Sequence, residues 1–380
     1  MNPLVIFLIL LSCIIAALYL GRVRYVKQLS SAMIVIILAA ILANLGIIPT
    51  SSTPTPLYDG IFKYIAPMAI FYMMLSVNLK SLKKAGMPMI GNFFLGALGI
   101  MVGVLVGMWA VNGKMRIGEN FFAVGGMFTG TFIGGSINLN AVALHYNVTK
   151  DGSLYAAITA IDNIMTAIWV MATIAIPKMM KKILPTKRQG AASDDSYAHA
   201  LSDIETVNPL SIAWLLLIGY GTLFVSQELN KLFPNLPMVI WLTTIALILA
   251  QIPVIQQIKG NKLMGMLCVY LFLAVIGAYC DIPALLKNGD LALTLITFVL
   301  ILVTVHSIFQ FGIGYLLKQD WDIMGIASQA NLGGSSTCLV CAQSLGRDDL
   351  GLAGILVGAL GNAVGTYCAI LMAEWLRYNF

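Results

Sequence analysis

The sequence predicts an all-α polytopic membrane protein with two inverted-topology repeats, each of about five spanning helices plus one interrupted or re-entrant glycine-rich segment. Three observations predict this fold. The chain is 59% hydrophobic and 10% charged, with a mean hydropathy of +0.89, whereas a soluble domain is nearer a quarter charged. Its apolar stretches are long enough to span a membrane. A glycine-rich motif occurs at matching places in the two halves.

The predicted spans divide into two sets of similar length. A helix that crosses the hydrocarbon core needs about 20 apolar residues. Residues 178–207 are too polar to span, and we interpret them as a linker between an N-terminal repeat, 1–177, and a C-terminal repeat, 208–380. The spans are 3–20, 32–49, 60–79, 88–111 and 153–177, then 208–227, 237–255, 263–285, 290–317 and 350–376, with glycine-rich stretches at 119–149 and 321–347.

Short matches between the halves indicate an internal duplication. Gly134-Gly135-Ser136 recurs as Gly333-Gly334-Ser335, and at the same spacing Asn163 matches Asn362. Asn2-Pro3-Leu4 matches Asn208-Pro209-Leu210 at the predicted start of each repeat. Because these matches follow the same order along the chain, we interpret the halves as copies of one unit.

The basic residues indicate that the copies are inverted. If both glycine-rich stretches crossed the membrane, the basic linker would lie outside, against the positive-inside rule. If each stretch enters and leaves on one side, the basic clusters at 22–27, 80–84, 178–188 and 259–262 all fall inside. We therefore expect a cell (inner) membrane protein with a cytoplasmic linker and an external N-terminus. The alternative is that the broken helix crosses the membrane fully and that the number of spans elsewhere differs by one.

The two glycine motifs are candidate binding elements. Irregular backbone at membrane depth is tolerated where protein or a water-filled cavity satisfies it, and the freed N–H and C=O groups bind anions and cations in secondary transporters. Packing of small residues between helices is the alternative interpretation. The predicted solute- and ion-binding residues of the motifs are Gly134, Gly135, Ser136, Asn138 and Asn140, then Gln329, Asn331, Gly333, Gly334, Ser335, Ser336 and Thr337.

Asp162 is a further candidate because it is the only charge in its apolar span. A carboxylate within a membrane is costly and usually functional, so we expect it to carry a proton or to bind Na⁺. Asn163 follows it, and Thr166 lies one turn further along the same helix. The corresponding residues of the second copy, Asn362 and Thr366, complete the predicted site.

These residues resemble those of bacterial membrane proteins of domain-of-unknown-function family 819. Such proteins are similar to the cation/proton antiporter and anion transporter superfamily, which includes bile-acid, glutamate and citrate sodium symporters. The resemblance covers essentially the whole chain, and "GGSINLNAVA", "LGGSSTCLV" and Asp162-Asn163 carry it.

The resemblance implies that the two interrupted elements meet at the membrane centre. It also implies a mobile core of residues 88–177 and 290–376, a scaffold made of the first spans of each half, and a possible homodimer through that scaffold. Asp162-Asn163 only partly matches the acidic or Asn-Asp pair of the antiporter members, and the second copy has Gly361-Asn362. This difference favours symport over plain cation/proton exchange.

The sequence therefore predicts a secondary active transporter. We expect Na⁺- or H⁺-coupled symport of a small anionic or zwitterionic solute, such as a carboxylate, amino acid or peptide, by alternating access. A cation/proton antiporter and a non-transporting sensor or assembly protein are the alternatives. An enzyme is not predicted, because an intramembrane protease would need a Ser/His pair, paired Asp residues or a His-Glu-x-x-His motif. No cofactor and no nucleic-acid partner is implied, since the net charge of +6 resides in loops.

Overall fold

The computed structural model describes residues 2–22, 31–50, 55–77, 79–186, 208–234, 236–279 and 289–380, and none of these residues forms a strand. The predicted linker therefore lies outside the described residues from 187 onwards. The first half contains α1 (Pro3–Leu20), α2 (Ser31–Asn44), α3 (56–74, made of Pro56–Gly60, a π-helical turn Ile61–Ile65 and Ala66–Met74), α4 (Met87–Ala110), α5 (Phe121–Gly134), α6 (Ser136–His145) and α7 (Gly152–Ile183). The second half contains α8 (Pro209–Leu232), α9 (Met238–Leu249), α10 (Asn261–Tyr279), α11 (Gly289–Leu316, with a π-helical segment Ile308–Ile313), α12 (Trp321–Leu332), α13 (Ser335–Ser344) and α14 (Gly351–Asn379). Short helical turns lie at Lys80–Ala85, Gly113–Ile117, Val148–Lys150, Pro253–Gln256 and Asp348–Leu350.

Seven of the described helices are long and apolar enough to cross a membrane, which confirms a polytopic α-helical membrane protein. These are α1, α4, α7, α8, α10, α11 and α14. Three predicted spans, 32–49, 60–79 and 237–255, are not among these seven helices, and each was drawn past the end of its helix. The helix α2 ends just before Gly46, whose φ is +73°, and α9 ends four residues before Pro253. A left-handed glycine and a proline both stop a helix from continuing.

The repeated Asn-Pro-Leu triplets are helix starts. The Asn2 side chain accepts a hydrogen bond from the Leu4 N–H over 2.9 Å, and the Asn208 side chain accepts one from the Ser211 N–H over 2.7 Å. Asparagine is a strong N-cap, and proline is favoured in the first helical turn because it has no N–H to satisfy there. These matches therefore mark the beginning of α1 and α8.

The glycine-rich stretch of the first half folds back on itself as hairpin 1, formed by α5 and α6. The chain turns at Gly135, where φ is +83°, a conformation that favours glycine. A Cβ on Gly130 would lie 3.1 Å from Asn138 Cβ, and one on Gly126 would lie 3.3 Å from Val142 Cγ1. Because residues progressively further from the turn face each other, α5 and α6 run antiparallel.

The second stretch forms hairpin 2, made of α12 and α13. The chain turns at Gly334, where φ is +71°. Gln329 Nε2 donates to Thr337 Oγ1 over 2.6 Å near the turn, and Arg347 Nη1 lies 3.3 Å from Asp322 Oδ2 at the open end. Each glycine-rich stretch therefore enters and leaves the bundle at one end, which is the arrangement that the basic residues favoured.

The long helix α7 passes both hairpins in succession. Its Tyr155 contacts hairpin 1 by donating to the Asn140 side chain. Its Asp162 reaches the turn of hairpin 1, and its Trp169 donates to Ser328 of hairpin 2 over 3.0 Å. The end of the bundle where α7 terminates is called here the linker face, and hairpin 2 opens there.

The helix α14 passes the hairpins in the opposite order. A Cβ on Gly354 would lie 2.9 Å from Cys338 Cβ of hairpin 2, whereas one on Gly126 of hairpin 1 would lie 2.8 Å from Ala373 Cβ near the end of α14. Lys114, before hairpin 1, bonds to the Phe380 carbonyl over 2.8 Å. We call this end the terminal face. The hairpins thus enter from opposite faces, and their turns meet midway along α7 and α14.

The remaining helices enclose this centre. α4 and α11 pack together beside the hairpins, while α10 packs against α1, α2 and α3. The contact between α3 and α10 is close, because a Cβ on Gly265 would lie 2.9 Å from Met73 Sδ. A wall of helices without hairpins therefore faces the two turns.

Candidate functional site

A cavity of about 810 Å³ lies where the two hairpin turns meet. Six parts of the fold contribute to its wall: both turns, α7, α14, and the linker-face ends of α3 and α10. The lining residues are Met73, Ser76, Val77, Thr131, Gly135, Ser136, Ile137, Asp162, Asn163, Thr166, Lys262, Leu263, Met266, Leu332, Gly333, Gly334, Ser335, Ile355, Ala359 and Asn362.

Asp162 is bound to the turn of hairpin 1. Thr131 Oγ1 donates to Asp162 Oδ1 over 3.1 Å, and Ser136 Oγ approaches Oδ2 at 3.4 Å. The side chain is 4% exposed, yet it belongs to the cavity wall. Carboxylate and hydroxyl oxygens are hard ligands that suit a small hard cation. This corner of the cavity can therefore hold Na⁺ or a proton.

The turn of hairpin 2 forms the neighbouring part of the wall. Thr166 Oγ1 donates to the Leu332 carbonyl over 3.3 Å, which joins α7 to the last residue of α12. On the other side, a Cβ on Gly358 would lie 2.6 Å from the Ser335 nitrogen. The turn is thus held between α7 and α14.

The two helices that begin at the cavity differ in electrostatic surroundings. The N-termini of α6 and α13 present unpaired N–H groups and a partial positive charge. The N-terminus of α6 faces the Asp162 carboxylate through Ser136. Among the described lining residues Asp162 is the only acidic one, so the start of α13 has no carboxylate beside it. An anionic group is therefore best accommodated at Gly334 and Ser335.

Close backbone contacts hold hairpin 1 against α14. A Cβ on Gly134 would overlap the Gly361 carbonyl oxygen, and a Cβ on Gly361 would overlap the Ile133 carbonyl oxygen. Asn362 follows Gly361, and its Oδ1 lies 3.7 Å from the Cβ position of Gly135. These glycines therefore place the Asn362 side chain beside the first turn.

Nine of the predicted site residues line the cavity, and seven others lie outside its lining. The lining ones are Gly135, Ser136, Asp162, Asn163, Thr166, Gly333, Gly334, Ser335 and Asn362. The residues outside the lining are Gly134, Asn138, Asn140, Gln329, Asn331, Thr337 and Thr366. The predicted site residue Ser336 belongs to α13, and its side chain lies outside the described part of the chain.

The asparagines of hairpin 1 are engaged in its interior. Thr366 Oγ1 donates to Asn138 Oδ1 over 2.6 Å, and the Tyr155 hydroxyl donates to Asn140 Oδ1. Both asparagines are buried. Their bonds connect hairpin 1 to α14 and α7, so here these side chains position the hairpin.

The polar residues of hairpin 2 behave similarly. Gln329 Oε1 accepts from Thr173 Oγ1 over 2.9 Å, and its nitrogen donates to Thr337 over 2.6 Å. Asn331 is fully buried and its Oδ1 lies against Gly96 of α4. The bonds of Gln329 fasten the hairpin from within, whereas the Asn331 side chain forms no hydrogen bond among the described residues.

A chain of hydrogen bonds behind hairpin 2 determines the tautomer of His306. The Gly96 carbonyl can only accept, and it lies 2.9 Å from His306 Nδ1, so Nδ1 carries the hydrogen. His306 Nε2 lies 2.8 Å from Ser328 Oγ, which itself accepts from Trp169 Nε1 over 3.0 Å. The Ser328 hydroxyl hydrogen then points to Nε2. With a neutral imidazole, each of these hydrogen bonds has one donor and one acceptor.

The sequence reasoning missed three polar residues of the cavity wall, which are Ser76, Thr131 and Lys262. Thr131 lies one turn before Gly135 on hairpin 1, and that spacing was a usable signal because residues i and i+4 share a helix face. Lys262 had been interpreted only as a topology signal. It lines the cavity from the first turn of α10, and only the packing of α10 against α3 reveals this.

The cavity extends to the linker face and is closed towards the terminal face. Its outer part is formed by exposed Ser76 and Lys262 at the linker-face ends of α3 and α10. Towards the other face α6 packs against α3, and the Tyr155 ring meets the Phe272 ring of α10 at 6.3 Å between centroids. A solute can therefore reach the turns from the linker face.

Hairpin 2 is anchored at the linker face by buried charges. Arg347 is 2% exposed and pairs with Asp320 over 2.8 Å and with Asp349 over 2.9 Å. Lys181 at the end of α7 pairs with Asp322 over 2.5 Å. Burial lowers the pKa of Arg347, but bonds to Asp349 and Asp320 more than reverse this and raise it above its usual value. The network fastens the base of hairpin 2 to α7.

The fold and the comparisons with known proteins define the class and the family. A bundle of membrane-length apolar helices that encloses a cavity with a buried carboxylate in its wall is a polytopic α-helical membrane protein. The chain belongs to the family described as "Protein of unknown function (DUF819)", whose model matches residues 5–379. The chain is also 23% identical over 373 residues to "Uncharacterized membrane protein YjcL" of Bacillus subtilis (strain 168), covering 93% of this chain and 91% of that protein.

Proposed function

We propose that this protein is a secondary active transporter that couples the movement of Na⁺ or H⁺ to that of a small anionic or zwitterionic solute. The single observation that carries the proposal is the meeting of the two hairpin turns at one cavity with a buried carboxylate in its wall. Broken helices that meet near the middle of the bundle are how such transporters build their sites.

The proposal assigns the coupling cation to Asp162. Its two oxygens already accept from Thr131 and Ser136, and each carboxylate oxygen has further lone pairs for a cation. An unpaired charge at this depth is costly, so a bound Na⁺ or proton stabilises the site. The solute would then meet a neutralised carboxylate.

The proposal assigns the acidic group of the solute to the start of α13. Gly334 and Ser335 present backbone N–H groups there, and helix N-termini favour anions. The side chains of Asn163 and Asn362 lie across the same cavity and can donate to the solute. A carboxylate, amino acid or short peptide fits this distribution of charge.

Alternating access would follow from the order of the hairpins along α7 and α14. We propose two inverted repeats, with hairpin 1 re-entering the membrane from the terminal face and hairpin 2 from the linker face. The hairpins, α4, α7, α11 and α14 would move as a core against a scaffold of α1–α3 and α8–α10. The cavity that now extends to the linker face would close there and open at the other face.

The orientation in the cell (inner) membrane follows from the basic residues. Lys80–Ala85, the end of α7 and the start of α10 carry lysines at the linker face. We propose that this face is cytoplasmic, by the positive-inside rule, and that the N-terminus is external. A homodimer through the scaffold is part of the same proposal.

Uptake into proteoliposomes tests the proposal. Labelled monocarboxylates, dicarboxylates, amino acids and dipeptides would be offered under a sodium gradient, a proton gradient or no gradient. We expect one class to accumulate only with a gradient, and Asp162→Asn to abolish that dependence. Absence of gradient-driven accumulation for every class, or unchanged coupling in Asp162→Asn, would overturn the proposal. Sodium-dependent proton movement without any solute would indicate an antiporter instead.

A further inference from the structure

We infer that Lys262 captures the acidic group of the solute at the linker face and gives the cavity its preference for anions there. The inference rests on the proposed transport function and deepens it by naming a specificity residue. Among the described lining residues Lys262 is the only cation. It forms no ion pair with a carboxylate of the described residues, so its charge is available to a solute.

The position of Lys262 is not explained by helix stability. It is the second residue of α10, where the partial positive charge of the helix N-terminus disfavours a cation. Lys259 lies three residues earlier, outside the cavity wall, and serves the topology equally well. The two lysines therefore differ in one respect that matters, which is exposure to the cavity.

The inference also predicts one-sided action. Lys262, Leu263 and Met266 of α10 face the turns across the cavity, together with Met73 and Ser76 of the α3 end. α3 and α10 belong to the wall without hairpins. If the hairpins move against this wall, Lys262 separates from the turn residue Ser335. Lys262 would therefore act on a solute that arrives from the linker face and have little effect on one arriving from the terminal face.

Cysteine modification tests this without a known solute. A cysteine in place of Ser335 would be exposed to anionic sulfonatoethyl and cationic trimethylammonioethyl thiosulfonate reagents. The parent chain gives the background rate of the native cysteines, of which Cys13, Cys268, Cys338 and Cys341 are buried. We expect Lys262→Gln to lower the anionic-to-cationic rate ratio at least about threefold, because a charge in a cleft focuses ions of the opposite sign. Lys259→Gln is the matched control and should leave the ratio unchanged.

The outcomes separate this inference from the transport proposal. Equal ratios in Lys262→Gln and Lys259→Gln would overturn the capture role, even if uptake is observed. Right-side-out and inside-out vesicles test the sidedness, and an equal Lys262 effect from both faces would overturn it. If Lys262→Gln lowers the ratio but no solute is taken up, the transport proposal alone is overturned. If Ser335→Cys does not fold, Ala359→Cys in α14, which also lines the cavity, provides the second probe position.

Discussion

Thr131 donates a hydrogen bond to Asp162 over 3.1 Å, and this bond joins hairpin 1 to the one acidic residue among the described lining residues of the cavity. Thr131 lies in the last turn of α5, and Asp162 lies in the first half of α7. The carboxylate is therefore oriented by the hairpin whose turn it faces. Occupation of Asp162 by a cation and the position of that turn are physically linked.

Asp162→Asn should remove the response to the coupling cation. If Na⁺ binds the carboxylate, NaCl should raise the melting temperature of the purified protein above its value in KCl of equal ionic strength. Binding at 100 times the dissociation constant stabilises by about 2.7 kcal/mol. Asp290→Asn, at the exposed start of α11, is the control. An identical sodium response in Asp162→Asn would contradict the assignment. A response to protons in place of sodium would identify H⁺ as the coupling ion.

Gly361→Ala should destabilise the contact between hairpin 1 and α14. The added methyl group would overlap the Ile133 carbonyl oxygen, and overpacking of a tight contact costs about 1–3 kcal/mol. Gly221→Ala in α8 is the matched control, because nothing lies within 4 Å of its Cβ position. Thermal unfolding in detergent measures both. Equal melting temperatures for the two variants would show that α14 and the hairpin can separate without cost.

Gly334→Ala should destabilise the turn of hairpin 2 through the backbone alone. Nothing lies within 4 Å of the added Cβ, but φ at this position is +71°. A residue other than glycine held in such a conformation costs about 1–3 kcal/mol. Gly91→Ala in α4 also enters open space and should be neutral or stabilising by up to about 1 kcal/mol. A melting temperature for Gly334→Ala at or above that of Gly91→Ala would argue against a strained turn.

Arg347→Met should weaken the base of hairpin 2. It removes the cation that pairs with buried Asp320, whereas Asp322 keeps its pair with Lys181, and breaking a buried pair from one side costs about 3–5 kcal/mol. Arg377→Met is the control, since Arg377 is 55% exposed and lies 3.9 Å from Glu374, an exposed contact worth about 0–1 kcal/mol. Thermal unfolding would compare them. Adding Asp320→Asn to Arg347→Met should recover part of the loss, and a further loss would contradict the explanation.

The turns of the hairpins could be predicted from the sequence because their cause is local. Gly135 and Gly334 adopt positive φ, and glycine does so at no steric cost. The polytopic helical class followed similarly from composition and length, although seven of the described helices, and not all ten predicted spans, are long and apolar enough to cross a membrane. The ends of α2 and α9 were placed too far along, because apolar residues continue past the left-handed Gly46 and up to Pro253.

The division of the polar residues between cavity and interior could not be predicted. Asn138 bonds to Thr366 of α14 and Gln329 bonds to Thr337 within hairpin 2, whereas Ser136 and Ser335 reach the cavity. Each hairpin is surrounded by other helices on several sides. An apolar and a polar face are therefore not distinguishable by periodicity, since buried positions occur all around the helix.

The sequence by itself determined the class of the protein and the places where the two glycine-rich stretches turn. These properties depend on residues close together along the chain, or on totals over the whole chain. The tertiary structure alone decided that both turns share one cavity, that Thr131 orients Asp162, and that Lys262 faces the same space. Such relationships join helices that are far apart in sequence, and only their packing brings those side chains together.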